Sequence, residues 1–216
     1  MYFLILFRFN PNKETKIIIS HIKNKNRMAH KQQKQFIDLV KAKYPNYFKD
    51  SNVLDIGSFD CNGTQREHFS NCEYIGIDLE EGPGVDIVSS GHEYNAPDST
   101  FDTVISCECF EHNPYYGETL QNAMRMLKSG GLLIFTCATE GRPVHGTASL
   151  EKTEKEKYDS WKTLPNVSKE NWDNDFYKNI SEEDVREFIE VDSEFSEFLF
   201  LVEKNHCDLY FYGIKK

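Results

Sequence analysis

Short apolar segments that alternate with stretches of helical periodicity constrain this chain more than any other feature of its sequence. Five such segments are predicted to be strands, at 52–57, 74–78, 85–88, 101–106 and 132–136. Apolar residues at helical spacing predict helices at 30–44 and 116–128, and a further helix can begin at Thr64. Apolar strands separated by helices belong in a parallel sheet that is covered on both faces. The pattern therefore predicts an α/β fold with a doubly wound sheet.

The C-terminal part of the chain departs from this alternation. Ser181 precedes three acidic residues, which is typical of a helix N-cap, and the pattern predicts a helix through Ile189. Two closing strands, 195–202 and 208–214, flank a turn at 205–206. We therefore expect the mostly parallel sheet to end in a hairpin.

The 216 residues suit one α/β domain, which we expect to span 28–216. Residues 1–27 form a basic leader whose apolar start is too short to span a bilayer and lacks the pattern of a signal peptide. We predict that this leader lies outside the fold and that Met28 is the natural start. The polar segment 138–180, dotted with aromatic residues, is predicted to be a lid or substrate-binding insert.

Charge and cysteine usage narrow the partners and the compartment. The formal net charge is −10, and an acidic protein repels the nucleic-acid backbone, which argues against duplex nucleic acid as a substrate. We expect no membrane partner. The six cysteines lack zinc-finger or CxxC spacing, and the pair Cys107 and Cys109, placed on one strand face by alternation, has no further ligands. We expect a cytoplasmic protein with free thiols and no metal site.

The first predicted strand ends in a glycine loop and the second ends in an acid. Gly57 lets the chain turn sharply and brings the backbone close to a ligand, and Gly63 stands at the entry to the next segment. Asp78 lies 21 residues after Gly57. In nucleotide-binding folds, an acid about 20 residues after the glycine loop accepts hydrogen bonds from the ribose hydroxyls. The spacing predicts a nucleoside-bearing ligand.

Phe59 and Asp60 decide the class of that ligand. A dinucleotide site needs a glycine in the middle of this loop so that the backbone can approach the pyrophosphate. Phe59 stands there instead, and Asp60 repels a pyrophosphate but attracts an ammonium or sulfonium cation. The loop therefore favours S-adenosylmethionine over NAD.

The ordered motifs of the chain resemble those of class I S-adenosylmethionine-dependent methyltransferases, in particular the type 11 methyltransferase domain. The segments that carry the resemblance are 53–58, in the motif I variant with an aromatic for the second glycine, then 74–78, 82–88, 101–106, 111–112 and 127–132. The likeness covers about residues 31–139 and returns in the closing hairpin. It implies a Rossmann-like, seven-stranded sheet, mostly parallel with an antiparallel strand in the C-terminal hairpin, and it implies methyl transfer from S-adenosylmethionine.

The resemblance also implies roles for single residues. The loop after the first strand would surround the methionine end of the cofactor, and Asp78 would bind the ribose diol. Leu79 and the turn after Ser90 would contact adenine, although Ser90 replaces an acid that the family often carries there. The predicted cofactor-binding residues are Asp55, Gly57, Ser58, Asp60, Gly63, Asp78, Leu79, Gly91 and His92.

Catalytic and substrate-binding candidates follow the fourth and fifth strands, because ligands of this fold bind at the carboxyl ends of strands. Methyl transfer depends mostly on alignment, and a base can also remove a proton from the acceptor. Glu108, Glu111 and His112 follow the fourth strand, and Glu108 and His112 are the candidate bases. Glu108 equally suits exposure to solvent, and His112 better suits a hydrogen bond at a helix start. Arg142, His145 and Trp161 are the candidates for contacting a substrate, which we expect to be a small molecule.

Two other functions stay open on the sequence alone. A regulatory subunit could keep the fold and the cofactor without turnover, because an intact loop shows binding and not catalysis. A nucleotide-dependent oxidoreductase is disfavoured by Phe59, by Asp60 and by the closing hairpin.

Overall fold

The computed structural model describes residues 4–6, 16–18, 29–61, 63–146 and 176–216. Its strands are β1 (Leu4–Leu6), β2 (Lys16–Ile18), β3 (Asn52–Ile56), β4 (Glu73–Asp78), β5 (Ile87–Val88), β6 (Phe101–Cys107), β7 (Leu127–Ala138), β8 (Phe195–Glu203) and β9 (Asp208–Lys215). Its α-helices are α1 (Ala29–Lys43), α2 (Tyr116–Met126), α3 (Glu182–Arg186) and α4 (Val191–Glu194). Single turns of 3-10 helix lie at Pro45–Phe48, Gln65–His68 and Phe110–His112.

Seven strands form one sheet in the order β5-β4-β3-β6-β7-β9-β8. The five strands from β5 to β7 run parallel, whereas β9 runs antiparallel to both of its neighbours. This architecture confirms the predicted fold, including the hairpin that closes it. Because β3 and β4 are adjacent and parallel, the glycine loop and Asp78 reach the same edge of the sheet.

Apolar side chains cover both faces of the sheet. On one face α1 buries Phe36, Ile37 and Val40 against strands β3, β6, β7 and β9. On the other face α2 packs with α3 and α4 over the opposite sides of the same central strands. Leu39, which shares the helical spacing in the sequence, is 43% exposed, because the stripe of α1 runs through positions 33, 36, 37 and 40.

The links around β4 and β5 are shorter than a doubly wound sheet suggests. Where a helix was predicted to begin at Thr64, the described residues contain one 3-10 turn, Gln65–His68. The Thr64 hydroxyl accepts the Arg66 amide, and the turn ends at Phe69, whose ring stacks on Phe48 at 4.8 Å. The predicted helix is thus a single 3-10 turn, and the residue that follows it is extended and packs into the core.

Strand β7 begins earlier than predicted, and the last predicted helix ends earlier than predicted. Leu127 already pairs with Phe101, so α2 ends at Met126 and the glycines at 130 and 131 form an irregularity within β7. Gly130 adopts φ +76°, which suits glycine. Ser181 makes the predicted cap, with Asp184 completing a capping box, but α3 ends at Arg186 and α4 follows separately.

The leader and the predicted insert are described only in part. β1 and β2 pair with each other in a separate two-stranded sheet, although the sequence predicted no strand there. Most of the insert, residues 147–175 with Trp161, lies outside the described residues. None of the described helices is long and apolar enough to cross a membrane.

Candidate functional site

A cavity of about 830 Å³ opens at the carboxyl ends of the parallel strands. From the predicted cofactor set it is lined by Asp55, Gly57, Ser58, Gly63, Asp78, Leu79, Gly91 and His92, and from the other candidates by Glu108, His112, Arg142 and His145. Asp60 is not part of this lining. One cavity thus brings together residues that the sequence spreads over about ninety positions.

Gly57 allows the loop after β3 to cross the edge of the sheet. Its φ is +80°, and a Cβ atom there would lie 2.6 Å from the Cβ of Cys109. The amides of Gly57 and Ser58 both donate to the carbonyl of Ile77, at 2.9 and 3.1 Å. Conformation and space therefore both require glycine here.

Ser58 offers a polar group that the protein itself leaves unused. Its Oγ is buried and has no hydrogen-bond partner within the described part of the chain. Buried polar atoms without partners are rare in folded proteins, and such an atom on a cavity wall is suited to a polar ligand.

Asp78 connects the loop after β3 to the loop after β4. We call this part of the cavity, lined by the predicted cofactor-binding residues, the cofactor end. One carboxylate oxygen accepts the amide of Phe59 at 3.2 Å, and the other accepts the amide of Leu79 at 2.7 Å. A carboxylate oxygen can accept more than one hydrogen bond, so this group is held in place and still has acceptor capacity. The position fits the predicted ribose contact.

Asp55 lies below the loop and is only 2% exposed. Burial raises the pKa of its carboxyl group to about 7, while the hydrogen bond that the Tyr74 hydroxyl donates at 2.6 Å opposes this rise. A buried acid with such a pKa on a cavity wall favours a cationic ligand, because a nearby positive charge would stabilise its ionised form.

Asp60, which does not line the cavity, holds the loop through Gly63, which does. The Asp60 carboxylate accepts the amide of Gly63 at 2.7 Å, and the Asp60 amide donates to the carbonyl of Pro83 at 2.8 Å. Asp60 thus holds the loop against the turn at 82–84, and its charge lies away from the cavity lining.

The turn at Gly91 and His92 forms another part of the cavity wall. A Cβ atom at Gly91 would lie 2.5 Å from the Thr119 side chain, so the turn packs directly on α2. The His92 ring stacks on Tyr115 at 4.1 Å, and its buried Nδ1 has no partner among the described residues. This nitrogen is a second unused polar atom at the cofactor end.

Glu108 occupies the sharp bend after β6. Its φ is +53°, and its carboxylate accepts a hydrogen bond from the Thr136 hydroxyl at 2.9 Å. The bend also separates two cysteines that were predicted to share one strand face: Cys107 packs with the α1 side and Cys109 with the α2 side. That prediction was wrong because alternation holds only while the backbone stays extended.

Glu111, a further acid after the fourth predicted strand, is fully buried beside Glu108. Its Oε1 accepts the Ala138 amide at 3.2 Å, and its Oε2 has no hydrogen-bond partner in the described residues. Burial and the neighbouring Glu108 carboxylate raise the pKa of Glu111 well above its usual value. Burial likewise raises the pKa of Glu108.

His112 and His145 meet at the far end of the cavity. Their rings lie edge to face with centroids 5.1 Å apart, and Tyr177 packs against both. Burial and the neighbouring His145 hold the pKa of His112 down to about 4, and burial also lowers the pKa of His145. Both imidazoles are therefore neutral at pH 7, which makes His112 a weak base.

Arg142 is paired inside the protein. Its Nη1 donates to the Asp208 carboxylate at 3.0 Å and to the carbonyl of His206 at 2.7 Å. Burial, followed by the charge of Glu108, raises the pKa of Asp208 to about 6. Much of the positive charge predicted for an anionic substrate is thus used to hold this acidic region together.

The sequence analysis missed several lining residues, of which Gln33 is the most informative. Gln33 is 6% exposed on α1 and donates to the Thr136 hydroxyl at 3.2 Å, which in turn donates to Glu108. Its place on the apolar stripe of α1 was the available signal. Asn113 also lines the cavity, and nothing in its spacing indicated it, whereas Phe176 is one of the aromatic residues of the predicted insert.

A family model described as a methyltransferase domain matches residues 28–208. No curated protein matches the chain.

Many solved structures share the fold. The 1,6-didemethyltoxoflavin-N1-methyltransferase of Burkholderia thailandensis, solved with 1,6-didemethyltoxoflavin and S-adenosylhomocysteine, is 12% identical, with a TM-score of 0.51 over 98% of this chain and 99% of that one. The PH0226 protein of Pyrococcus horikoshii is 16% identical, with a TM-score of 0.55 over 88% and 93%. The phosphoethanolamine N-methyltransferase 2 of Haemonchus contortus, solved with phosphomonomethylethanolamine and S-adenosylhomocysteine, is 16% identical, with a TM-score of 0.53 over 84% of this chain and 52% of that one.

Proposed function

Because the chain belongs to the methyltransferase-domain family, we propose that it transfers the methyl group of S-adenosylmethionine to a small-molecule acceptor bound beside Glu108 and His112. The family, the methyltransferase activity and the cofactor agree with the sequence-based predictions. The small size of the methyl acceptor and its position beside Glu108 and His112 are new inferences.

The residues of the cofactor end fit S-adenosylmethionine by their chemistry. Asp78 supplies a fixed carboxylate for the ribose diol, and Asp55 supplies a buried acid suited to the methionine ammonium. Ser58 and His92 each leave a buried polar atom for the ligand. The bound cofactor would supply an electrophilic methyl group, and these residues would orient it.

One observation carries the proposal of a small acceptor: the cavity continues past the cofactor loop to His112 and His145. Its volume of about 830 Å³ lies within the range of about 300–1,000 Å³ that is typical of small-ligand pockets. Two of the solved structures that share the fold contain small-molecule substrates, which is consistent with this reading.

The acceptor end favours a neutral or cationic acceptor. Glu108, Glu111 and Asp208 lie close together, and Arg142 is the cation that faces them. An anionic acceptor would meet excess negative charge there, whereas an amine or a hydroxyl could donate a hydrogen bond to Glu108. Neutral His112 is the second acceptor of a proton within reach of the cavity.

The proposal is tested by calorimetry followed by a transfer assay. We expect S-adenosylmethionine and its demethylated product to bind, and NAD to bind at least about tenfold more weakly, a difference of about 1.4 kcal/mol. With methyl-labelled cofactor and a metabolite extract, label should enter the small-molecule fraction. The variant Asp78→Ala should weaken cofactor binding and abolish transfer at low cofactor concentration.

Asp98→Ala is the matched control, because Asp98 is an exposed carboxylate that pairs with Arg125 outside the cavity. It should bind the cofactor and transfer methyl groups like the wild type. Label that appears only in protein or nucleic acid would contradict a small acceptor. Cofactor binding without any transfer would instead indicate a non-catalytic binding subunit.

A further inference from the structure

The acceptor end of the cavity contains a cluster of three side chains of the types that bind metal ions. Methyl transfer alone does not require such a cluster. Glu111, His112 and His145 each present one ligand atom, and these atoms all lie within 4.8 Å of one another. Ligand atoms bound at about 2.1 Å to a common cation lie about 3.4 Å apart in tetrahedral geometry. The most distant pair of the cluster therefore needs to approach by up to about 1.4 Å, which changes of side-chain rotamer can provide.

The groups behind two of the ligands already hold them in a binding orientation. The carbonyl of Pro143 lies 2.9 Å from Nδ1 of His145, and because a carbonyl only accepts, Nδ1 carries the proton and Nε2 keeps its lone pair. The Ala138 amide holds Oε1 of Glu111 and leaves Oε2 free. Outer hydrogen bonds of this kind orient the ligands of metal sites.

Among the described residues, the cluster also lacks a cation that is not already paired. Glu111 is 0% exposed, and its Oε2 has no partner among the described residues, although Glu108 adjoins it. Arg142 is the nearest counter-charge, and it is paired with Asp208. A buried carboxylate is stable when it is paired, protonated or bound to a metal ion.

We propose that Glu111, His112 and His145 bind one divalent transition-metal cation at the acceptor end of the cavity, with the carboxylate of Glu108 beside it. Two imidazoles and a carboxylate suit Zn²⁺, Co²⁺, Mn²⁺ or Fe²⁺ better than Mg²⁺ or Ca²⁺, which prefer oxygen ligands. No metal site was predicted from the sequence. The cysteine spacing indicated none, and no local pattern places His145 next to Glu111 and His112.

The cation would also act on the methyl acceptor, an inference that rests on the proposed function. A metal ion here would bind an acceptor that offers an oxygen or nitrogen lone pair and would lower the pKa of an attached hydroxyl. The acceptor's proton could then pass to Glu108 without a strong base. Metal binding itself does not depend on methyl transfer, so the two proposals fail separately.

The test uses the full-length protein, stripped with a chelator and titrated with Co²⁺, whose visible absorption reports ligation. We expect saturation at one equivalent, displacement by Zn²⁺, and no displacement by Mg²⁺ at millimolar concentration. Removing an outer partner of a metal site already weakens binding about 10–100-fold. Accordingly, His145→Ala and Glu111→Gln should each weaken Co²⁺ binding at least about tenfold.

His206→Gln is the matched control. His206 also pairs with a glutamate, Glu203, but it lies in the β8–β9 turn and is not part of the cluster of Glu111, His112 and His145. It should bind Co²⁺ like the wild type. Cofactor binding by each variant shows that it is folded, and His145→Ala decides the question if Glu111→Gln does not fold. The proposal is overturned if the wild type shows no saturable binding, if folded His145→Ala binds Co²⁺ unchanged, or if Mg²⁺ competes as well as Zn²⁺.

Discussion

Two acids that the sequence predicts to contact the same cofactor lie in opposite environments. Asp78 is partly exposed and held by backbone amides from two loops. Asp55 is buried against the Tyr74 hydroxyl, and its pKa is raised to about 7. Sequence spacing identified both acids, but it could not show that burial leaves Asp55 half protonated at neutral pH.

Asp55 should make the stability of the protein depend on pH. Its pKa is about 7 in the folded protein and about 3.9 in an unfolded chain, so the folded state binds more protons between these values. The contribution of Asp55 is present below about pH 4 and is lost as the pH rises toward 7. Replacement by Asn should therefore stabilise the protein at pH 8 relative to pH 5, by about 2 kcal/mol of unfolding free energy.

Urea denaturation of the wild type and Asp55→Asn at pH 5 and pH 8 measures this difference. Tyr74→Phe is a useful companion, because it removes the hydrogen bond that favours the ionised carboxylate and should steepen the pH dependence. A stability difference between wild type and Asp55→Asn that stays constant with pH would show that this carboxyl titrates at its ordinary pKa.

At the scale of elements, the predicted insert 138–180 is anchored at its C-terminal end. The amide of Lys178 donates to the carbonyl of Glu111 at 2.8 Å, and that of Ile180 donates to the carbonyl of Ala138 at 2.9 Å. Tyr177 and Ile180 are buried. The C-terminal end of this segment is thus attached to the bend after β6 and to the end of β7.

Hydrogen exchange can test this anchoring in the absence of ligand. The amides of Lys178 and Ile180 should exchange slowly, because their hydrogen bonds open only when the segment leaves β7 and the bend after β6. The exposed amide of Glu80, whose long contact to Asp78 measures 3.4 Å, is a suitable fast-exchanging reference. Equally fast exchange at all three positions would mean that the whole segment moves as a lid.

At the scale of the whole molecule, the described core begins with α1. Both apolar clusters draw their buried residues from Phe36 onward, and β1 and β2 pair only with each other among the described strands. The methyltransferase-domain model likewise matches from residue 28.

Deletion of residues 1–27 should therefore leave the melting temperature and the affinity for S-adenosylmethionine unchanged. A loss of 1 kcal/mol shifts the melting temperature of a protein of this size by about 2–4 °C. Thermal unfolding of the truncated and full-length proteins, followed by calorimetry with the cofactor, measures both properties. A fall of about 5 °C or more would show that the leader packs on the domain.

Sequence reasoning worked where a local pattern has one structural solution. Apolar segments of strand length can pack only in a covered sheet, and a glycine after β3 with an acid after β4 defines a ligand edge once these strands are adjacent. Two strand segments about a turn then predicted the closing hairpin, and the composition of the loop after β3, together with the family resemblance, predicted the cofactor. Each of these features depends on neighbours in the sequence or on one pairing of strands.

Only the tertiary structure determined which residues meet at the acceptor end of the cavity and which of them are protonated. Gln33 reaches Thr136 across 103 positions, and Arg142 reaches Asp208 across 66, so no local pattern marks either contact. The positive φ of Glu108 turned the chain and ended the alternation on which the cysteine prediction relied. Burial then set the protonation of Asp55, Glu111 and His112, because the free energy of a charge depends on the whole surroundings and not on its neighbours in the chain.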